Sequence, residues 1–158
     1  MEVKFRTAGL GDIKDLQTLK YDLWKYEDDN FCDITDPNYA KTDKYAEDLK
    51  KQIEDPGFAI IVAEYEDEII GAVYGEVFEA TKYKRIKIDS ELMSLYVKEE
   101  HRNKKIGAKL VDEFTKWAKS KNADQIKVEP YYNNEGSLRF YEREGFEGYV
   151  VMLRKKLK

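Results

Sequence analysis

One stretch of this 158-residue chain decides the fold, and it reads Leu95-Tyr96-Val97-Lys98-Glu99-Glu100-His101-Arg102-Asn103-Lys104-Lys105-Ile106-Gly107-Ala108. It begins as an apolar strand, continues as a polar turn and ends at the start of a helix. Backbone N–H groups in the first helical turn have no partner within the helix, and the positive end of the helix dipole lies at the same place. The stretch is therefore a candidate anion site.

Positive side chains surround this candidate anion site, namely Arg102, Lys104, Lys105 and Lys109. A phosphorylated ligand matches the combination of free N–H groups and cations. Taken alone, the stretch is more simply a solvated basic loop, because Gly-containing turns before helices are common. A second signal is needed to decide between the two interpretations.

The second signal lies further along the chain and reads Asn133-Asn134-Glu135-Gly136-Ser137-Leu138-Arg139-Phe140-Tyr141-Glu142-Arg143-Glu144-Gly145-Phe146. Together the two stretches resemble the GNAT superfamily of acyl-CoA-dependent N-acetyltransferases. The first matches the family's pyrophosphate loop, which follows a Leu-x-Val strand, at all positions but one. The second matches the family's later motif at Asn134, Ser137, Tyr141 and Gly145-Phe146. Both motifs occur in the family's order, which favours phosphate binding over a basic loop.

The resemblance implies that acetyl-CoA is the co-substrate, with no metal. Its pyrophosphate would lie in the loop, and its pantetheine arm would bond the backbone amides of Leu95 and Val97 like an added strand, together with the side chain of Asn134. Asn134 is also a suitable N-cap for the helix that it begins. The residues assigned to the cofactor are Leu95, Tyr96, Val97, Arg102, Asn103, Lys104, Lys105, Ile106, Gly107, Ala108, Asn134, Ser137 and Tyr141.

Lys105 departs from the family pattern, because it stands where the family most often has its first loop glycine. A glycine there lets the backbone approach the pyrophosphate without a Cβ in the way. A lysine either crowds the phosphates or supplies an ammonium group that contacts one of them. The departure keeps open the hypothesis of a domain that binds CoA without catalysing a reaction.

The apolar periodicity predicts ten elements in the order β-α-α-β-β-β-α-β-α-β, which also matches the family. They form one α/β (α+β) domain over residues 1–158, with a mixed, largely antiparallel central sheet flanked by four helices. The predicted elements are Val3–Thr7, a helix from Gly11-Asp12 through Trp24, a helix from Thr42 or Asp43 through Ile53, Phe58–Tyr65, Ile69–Phe78, Ile86–Val97, Ile106–Lys121, Gln125–Glu129, Asn134–Glu144 and Tyr149–Leu153.

The composition excludes several classes of protein. The 28 Lys and Arg residues nearly balance the 32 Asp and Glu residues, so a uniformly basic nucleic-acid binder is excluded. A single cysteine and a single histidine leave no disulfide and no His/Cys zinc cluster. The longest apolar run, Phe58–Ala63, is too short to span a membrane, and Met1–Arg6 is unlike a signal peptide. We therefore expect a cytoplasmic protein without membrane or nucleic-acid partners.

Two residues are candidates for catalysis by this resemblance. Glu91, at the start of the fourth strand, stands where several relatives have a glutamate that serves as general base. Tyr141 stands where the family has a general acid for the departing CoA sulfur. Other interpretations remain open, since Glu91 could be an exposed carboxylate at a strand end and Tyr141 could pack in the core.

The acceptor is predicted from a local excess of negative charge. Asp22–Asp36 contains six acidic residues against one lysine, a net charge of −5. In the family this segment borders the acceptor cleft, where carboxylates and aromatic faces would attract a cationic amine. A solvated loop explains the same charge equally well. The residues assigned to the acceptor are Trp24, Tyr26, Glu27, Asp28, Asp29, Phe31, Asp33 and Tyr131.

The leading functional hypothesis is an acetyl-CoA-dependent N-acetyltransferase acting on a small cationic amine, of the polyamine or aminoglycoside type. An enzyme acting on protein N-termini or lysine side chains is the second hypothesis, and the CoA-binding regulatory domain is the third. A homodimer is expected only because relatives commonly form one.

Overall fold

The computed structural model describes residues 1–158, and its elements follow the predicted order through the fourth helix. Three short 3-10 helices, Leu10–Asp12, Pro37–Lys41 and Glu99–His101, connect some of them. No helix is long and apolar enough to cross a bilayer. The strands and helices, in chain order, are β1 (Lys4–Thr7), α1 (Ile13–Asn30), α2 (Asp43–Glu54), β2 (Phe58–Tyr65), β3 (Glu68–Glu79), β4 (Ile88–Val97), α3 (Ile106–Ser120), β5 (Lys127–Val128) and α4 (Glu135–Arg143).

The five strands form one sheet in the order β1-β2-β3-β4-β5. The first three pairings are antiparallel and only β4 and β5 are parallel. The turn between β2 and β3 places Glu66 and Asp67 at φ values of 51° and 62°, as a tight hairpin requires. The predicted fold class, a largely antiparallel sheet with four helices, is confirmed.

Apolar cores lie on both faces of the sheet. Helices α1 and α2 cover one face, where Leu16 and Leu49 are fully buried beside strand residues such as Ile60. Helix α3 covers the other face, where Phe114 packs beside Ile61. Ile60 and Ile61 belong to different cores because successive strand residues point to opposite faces. The sheet is thus covered on both sides, and its functional surface must lie at an end or an edge.

A β-bulge in β4 controls which side chains face which core. Tyr74 of β3 lies opposite Ser94, whereas its neighbour Gly75 lies opposite Leu92, so Met93 is left without a partner. The extra residue reverses the alternation. Leu92 packs in the core beneath α3, and Ser94 faces α1.

Because of the same bulge, the Glu91 side chain lies on the opposite face of the sheet from Leu95 and Val97 at the end of β4. Leu95 and Val97 pack on the α3 side. Glu91 precedes Leu92 by one residue and therefore points toward the opposite face. A regular strand would have placed Glu91, Leu95 and Val97 on one face.

Strands β4 and β5 pair over only two residues and then part. Glu91 lies opposite Lys127 and Leu92 lies opposite Val128, and no pairing continues beyond them. The rest of β4 runs to Val97 without a neighbour on that side. The backbone groups on this side of β4 are therefore free to bind a ligand.

Three predicted elements differ from the structure. Helix α1 continues beyond Trp24 to Asn30 through residues that are exposed except for Glu27, so no apolar periodicity marks its last turns. Strand β5 is limited to Lys127–Val128 by the following Pro130. The final strand, Tyr149–Leu153, does not form, and its side chains are 68% to 89% exposed. A strand needs a partner edge as well as apolar residues, and the segment meets no such edge. Its prediction was wrong.

Gly75 offers a test of the packing that holds β3, β4 and α3 together. A Cβ at this position would lie 2.3 Å from Phe114 Cζ and 2.4 Å from the Glu91 carbonyl oxygen. We therefore expect Gly75→Ala to lower the free energy of unfolding by about 2 kcal/mol or more in urea denaturation. Gly148→Ala is the matched control, because a Cβ there would meet no atom within 4 Å. Equal stabilities of the two variants would contradict this account of the core.

Candidate active site

A cleft of about 770 Å³ opens where β4 and β5 part. One part of its lining comes from β4 and from the loop that leads into α3, and another comes from α4. The end of β5 and the chain that follows it, from Val128 to Tyr131, and the last turns of α1 complete it. The two sequence motifs, which are distant along the chain, therefore meet in one cavity.

The loop before α3 presents backbone N–H groups to this cleft. Asn103 and Lys105 both have left-handed backbones, with φ values of 60° and 62°. Lys105 is the N-cap of α3, and no side chain caps the helix there. The N–H groups of Ile106, Gly107 and Ala108 belong to the first turn, which has no acceptors within the helix. The loop conformation and the uncapped helix start are thus those that an anion site requires.

Two of the four predicted cations accompany these N–H groups in the cleft. Lys105 and Arg102 line it, and Arg102 also donates from Nε to the Val97 carbonyl oxygen at 3.0 Å, which holds the loop against the end of β4. Lys104 instead donates to the Glu100 carbonyl oxygen at 3.0 Å, and Lys109 pairs with acidic residues of its own helix. Neither Lys104 nor Lys109 lines the cleft.

Lys105 explains why glycine is favoured at this loop position. Its left-handed backbone costs an ordinary residue about 1 kcal/mol or more, whereas glycine adopts it freely. The lysine adopts this left-handed backbone and brings a cation to the cleft.

Helix α4 supplies Asn134, Ser137 and Tyr141 to the cleft. The Asn134 side chain accepts a hydrogen bond from the Ser137 N–H at 3.1 Å, so it caps the helix. Tyr141 is only 9% exposed and packs edge-on against Phe140 and Phe146. Burial, and then the negative charge of Glu27, raise the pKa of the Tyr141 phenol well above its usual range. Tyr141 is therefore protonated at neutral pH and can act as a proton donor.

Glu91, the sequence-based candidate for the general base, does not line the cleft. It lies opposite Lys127 in the sheet, and burial followed by the charge of Glu129 raises the pKa of its carboxyl group. The carboxylate that α1 brings to the cleft is Glu27, whose pKa is raised mainly by burial and lowered in part by Lys20.

The predicted acceptor residues divide into two groups. Tyr26, Glu27 and Tyr131 line the cleft. Phe31 stacks on Tyr131, with ring centroids 6.3 Å apart, and so supports the cleft from behind. The ring of Trp24 packs against the core beneath α1 and α2.

The remaining acidic residues of the segment point elsewhere. Asp28 and Asp29 are exposed outside the cleft, and Asp29 pairs with Lys25. Asp33 pairs with Arg154 at 2.8 Å and also with Lys156, so the C-terminal tail supplies its counter-charges. The net charge of −5 is therefore not concentrated at the cleft, where the segment contributes one carboxylate.

Sequence reasoning missed five polar residues of the cleft, namely Ser94, His101, Glu129, Arg143 and Glu144. Ser94 lines it from β4, and His101 lines it from the loop with a buried Nδ1 atom that has no partner. Ser94 could not be assigned because only the bulge turns it toward α1. A lone histidine in a polar loop is typical of a surface residue, so the local pattern carries no signal for His101.

Three structural neighbours share this architecture over nearly the whole chain. The tetramutant of the BH1408 protein from Bacillus halodurans has a TM-score of 0.85 and 18% identity, covering 98% of this chain and 99% of that chain. The aminoglycoside acetyltransferase meta-AAC0020 from an uncultured soil metagenomic sample, solved with trehalose, has a TM-score of 0.73 and 24% identity, covering 99% and 97%. The PaiA N-acetyltransferase from Thermoplasma acidophilum, solved with coenzyme A, has a TM-score of 0.78 and 23% identity, covering 96% and 94%.

These identities show a shared fold, and a comparison of sequences identifies the family. No curated protein matches the sequence significantly. The model of the acetyltransferase (GNAT) family matches residues 20–146, which include both motifs and all of the cleft-lining residues. The chain therefore belongs to the acetyltransferase (GNAT) family and is an acetyl-CoA-dependent N-acetyltransferase.

Proposed function

We propose that the protein transfers the acetyl group of acetyl-CoA to a primary amine of a small cationic molecule, of the polyamine or aminoglycoside type. The observation that carries this proposal is the content of one cleft, where an uncapped helix start lies together with Glu27, Tyr26 and Tyr131. The helix start suits an anionic cofactor, and a carboxylate with aromatic faces suits a cationic acceptor. Among the structural neighbours, the soil aminoglycoside acetyltransferase has also been solved with sisomicin.

The residues present fit acetyl-CoA in three ways. The N–H groups of Ile106, Gly107 and Ala108 can hold the pyrophosphate, with the Lys105 ammonium beside them. The unpaired side of β4 at Leu95–Val97 can bond the pantetheine amides like an added strand. Asn134 lines the same cleft, so an oxygen lone pair and its amide N–H₂ group are available to the arm.

The transfer needs a neutral amine and a proton for the departing thiolate. An ordinary ammonium has a pKa of about 10.4, so about one molecule in a thousand is neutral at pH 7. Tyr141 lies in the cleft with its proton retained, and we assign it the role of acid toward the sulfur. Glu91 stays the sequence-based candidate for the base, whereas the carboxylates that line the cleft itself are Glu27, Glu129 and Glu144.

Turnover with a panel of amines tests the proposed function. Release of free CoA thiol would be measured with spermidine, with sisomicin and with a lysine-containing peptide. We expect turnover of at least one of the two small amines. Preference for the peptide would identify an enzyme acting on proteins, and saturable acetyl-CoA binding without any turnover would identify a domain that only binds CoA.

Tyr141→Phe tests proton donation to the sulfur. We expect it to lower kcat by about 10²-fold or more, because the ring and its packing remain while the proton donor is lost. Tyr132→Phe is the matched control, since that ring is 83% exposed and lies outside the cleft. An unchanged kcat for Tyr141→Phe would remove Tyr141 from the role of general acid.

Lys105→Gly separates the two effects of the lysine. We expect the free energy of unfolding to rise by about 1 kcal/mol, because glycine relieves the left-handed backbone. We also expect weaker CoA binding, measured by calorimetry, because a cation beside the phosphates is lost. Tighter CoA binding would show instead that the lysine side chain obstructs the pyrophosphate.

A further inference from the structure

Lys20 is a buried lysine without a carboxylate partner. It is 6% exposed and lies on the inward face of α1, among Leu16, Leu19 and Leu23. No Asp or Glu lies within 4.0 Å of its ammonium group, although fourteen ion pairs form elsewhere in the molecule. Its one hydrogen bond runs from Nζ to the Ser94 hydroxyl oxygen at 2.6 Å. A charged amine in such a place is costly, so the neutral form is favoured.

The elements packed around Lys20 bring no ion-paired carboxylate to its amine. From β3, the Tyr74 ring centroid lies 3.7 Å from Nζ, a cation–π contact that offsets only part of the cost of burying the charge, and the buried Tyr74 hydroxyl has no partner. From α1, the Trp24 ring centroid lies 5.7 Å away, and Glu27 acts on Lys20 only through space. From α2, Tyr45 contributes to the raised pKa of Tyr74 and does not contribute to the pKa shift of Lys20.

Ser94 connects this buried amine to the cleft. The bulge in β4 turns Ser94 toward α1, where its hydroxyl meets Lys20. Ser94 also lines the cleft, next to Leu95 on the strand proposed to hold the pantetheine arm. One hydroxyl group therefore touches both the space for the reacting amine and a base that solvent does not reach.

We propose that Ser94 and Lys20 form a proton relay that deprotonates the acceptor amine during acetyl transfer, an inference that rests on the proposed function. The acceptor ammonium first loses one proton to the solvent of the open cleft. As the N–C bond between the resulting neutral amine and the acetyl carbon forms and the C–S bond breaks, the nitrogen gives a second proton to Ser94 Oγ. Ser94 passes its own hydroxyl proton to the neutral Lys20 Nζ, which becomes an ammonium. The thiolate takes a proton from Tyr141, and the proton on Lys20 returns through Ser94 and the solvent in the open cleft, so that Tyr141 is reprotonated.

The acid–base properties of the pair suit this role. Burial, opposed in part by Glu27, lowers the pKa of Lys20 to about 7. The neutral amine is therefore accessible near neutral pH, and an acceptor of protons works best when its pKa is near the working pH. Glu27 keeps a separate task, since its negative charge attracts the cationic acceptor and stabilises the ammonium that forms on Lys20.

The pH dependence of kcat tests the relay with the amine that the panel selects. Lys20 is protonated below its pKa and then cannot accept a proton. In the wild type we therefore expect kcat to fall about tenfold per pH unit below about pH 7. Ser94→Ala should lower kcat at pH 8 by about 10²-fold and abolish this inflection. Ser94→Thr keeps the hydroxyl, so its kcat and its inflection should resemble those of the wild type.

A second pair of variants examines the buried end of the relay. Lys20→Met should lower kcat as Ser94→Ala does, whereas Lys14→Met, at an exposed position of the same helix, should leave kcat unchanged. Acetyl-CoA affinity and melting temperature establish that each variant is folded. If Lys20→Met does not fold, NMR titration of the lysine Cε resonances in the wild type replaces it, and we expect one lysine to titrate near pH 7.

Three results would overturn the relay while leaving the proposed function intact. They are an inflection that persists in Ser94→Ala, a wild type in which every lysine titrates near pH 10, and an inflection that only Glu27→Gln or Glu91→Gln removes. Wild-type protein that binds acetyl-CoA but acetylates no amine would overturn the proposed function, and the relay with it.

Discussion

The rest of the structure depends on the early separation of β4 from β5. Two residues of parallel pairing hold the strands together, and beyond Leu92 and Val128 they part. Had the pairing continued, the backbone groups of Leu95–Val97 would be bonded to β5, and no cleft would separate α3 from α4. The bulge at Met93 acts at the same point, because it decides that Leu92 packs beneath α3 and Ser94 faces α1. The proposed cofactor site and the proposed acceptor site thus both depend on the irregular shape of β4.

The electrostatics of the cleft depend on a few placed groups rather than on net charge. The basic loop contributes Lys105 and Arg102, while Lys104 and Lys109 bond elsewhere. The acidic segment contributes Glu27, while Asp33 pairs with the C-terminal tail. Free N–H groups at the start of α3 add a partial positive charge whose position the backbone fixes. The net charge of a sequence segment therefore overstates the charge that a ligand in the cleft would contact.

Much of the fold could be predicted from sequence because its signals are local. The apolar runs Phe58–Tyr65 and Ile106–Ser120 have the periods of a strand and a helix, and these two elements form almost as predicted. Tyr149–Leu153 has an equally good strand pattern and forms no strand, since pairing depends on an edge that local sequence does not describe.

The candidate site was predictable where a motif fixes the backbone and much less so where tertiary packing chooses the side chain. Asn134, Tyr141 and the loop around Lys105 lie in the cleft as their motifs imply. Lys20 and Ser94 were missed because a lysine within an apolar stripe and a serine within a strand are each ordinary in isolation. A signal existed in α1, where residues 13, 16, 20, 23 and 27 share one face by helical spacing, which places Lys20 and Glu27 inward.

The left-handed residues of the cofactor loop have a consequence for how tightly a ligand can bind. Asn103 and Lys105 each have a left-handed backbone, and a loop held in that conformation has little backbone freedom to lose when phosphates bind. The strain that weakens the folded state is the same feature that preorganises the loop. Thermostability and cofactor affinity are therefore opposed at these two positions. Selection for stability alone and selection for affinity alone would favour different residues there.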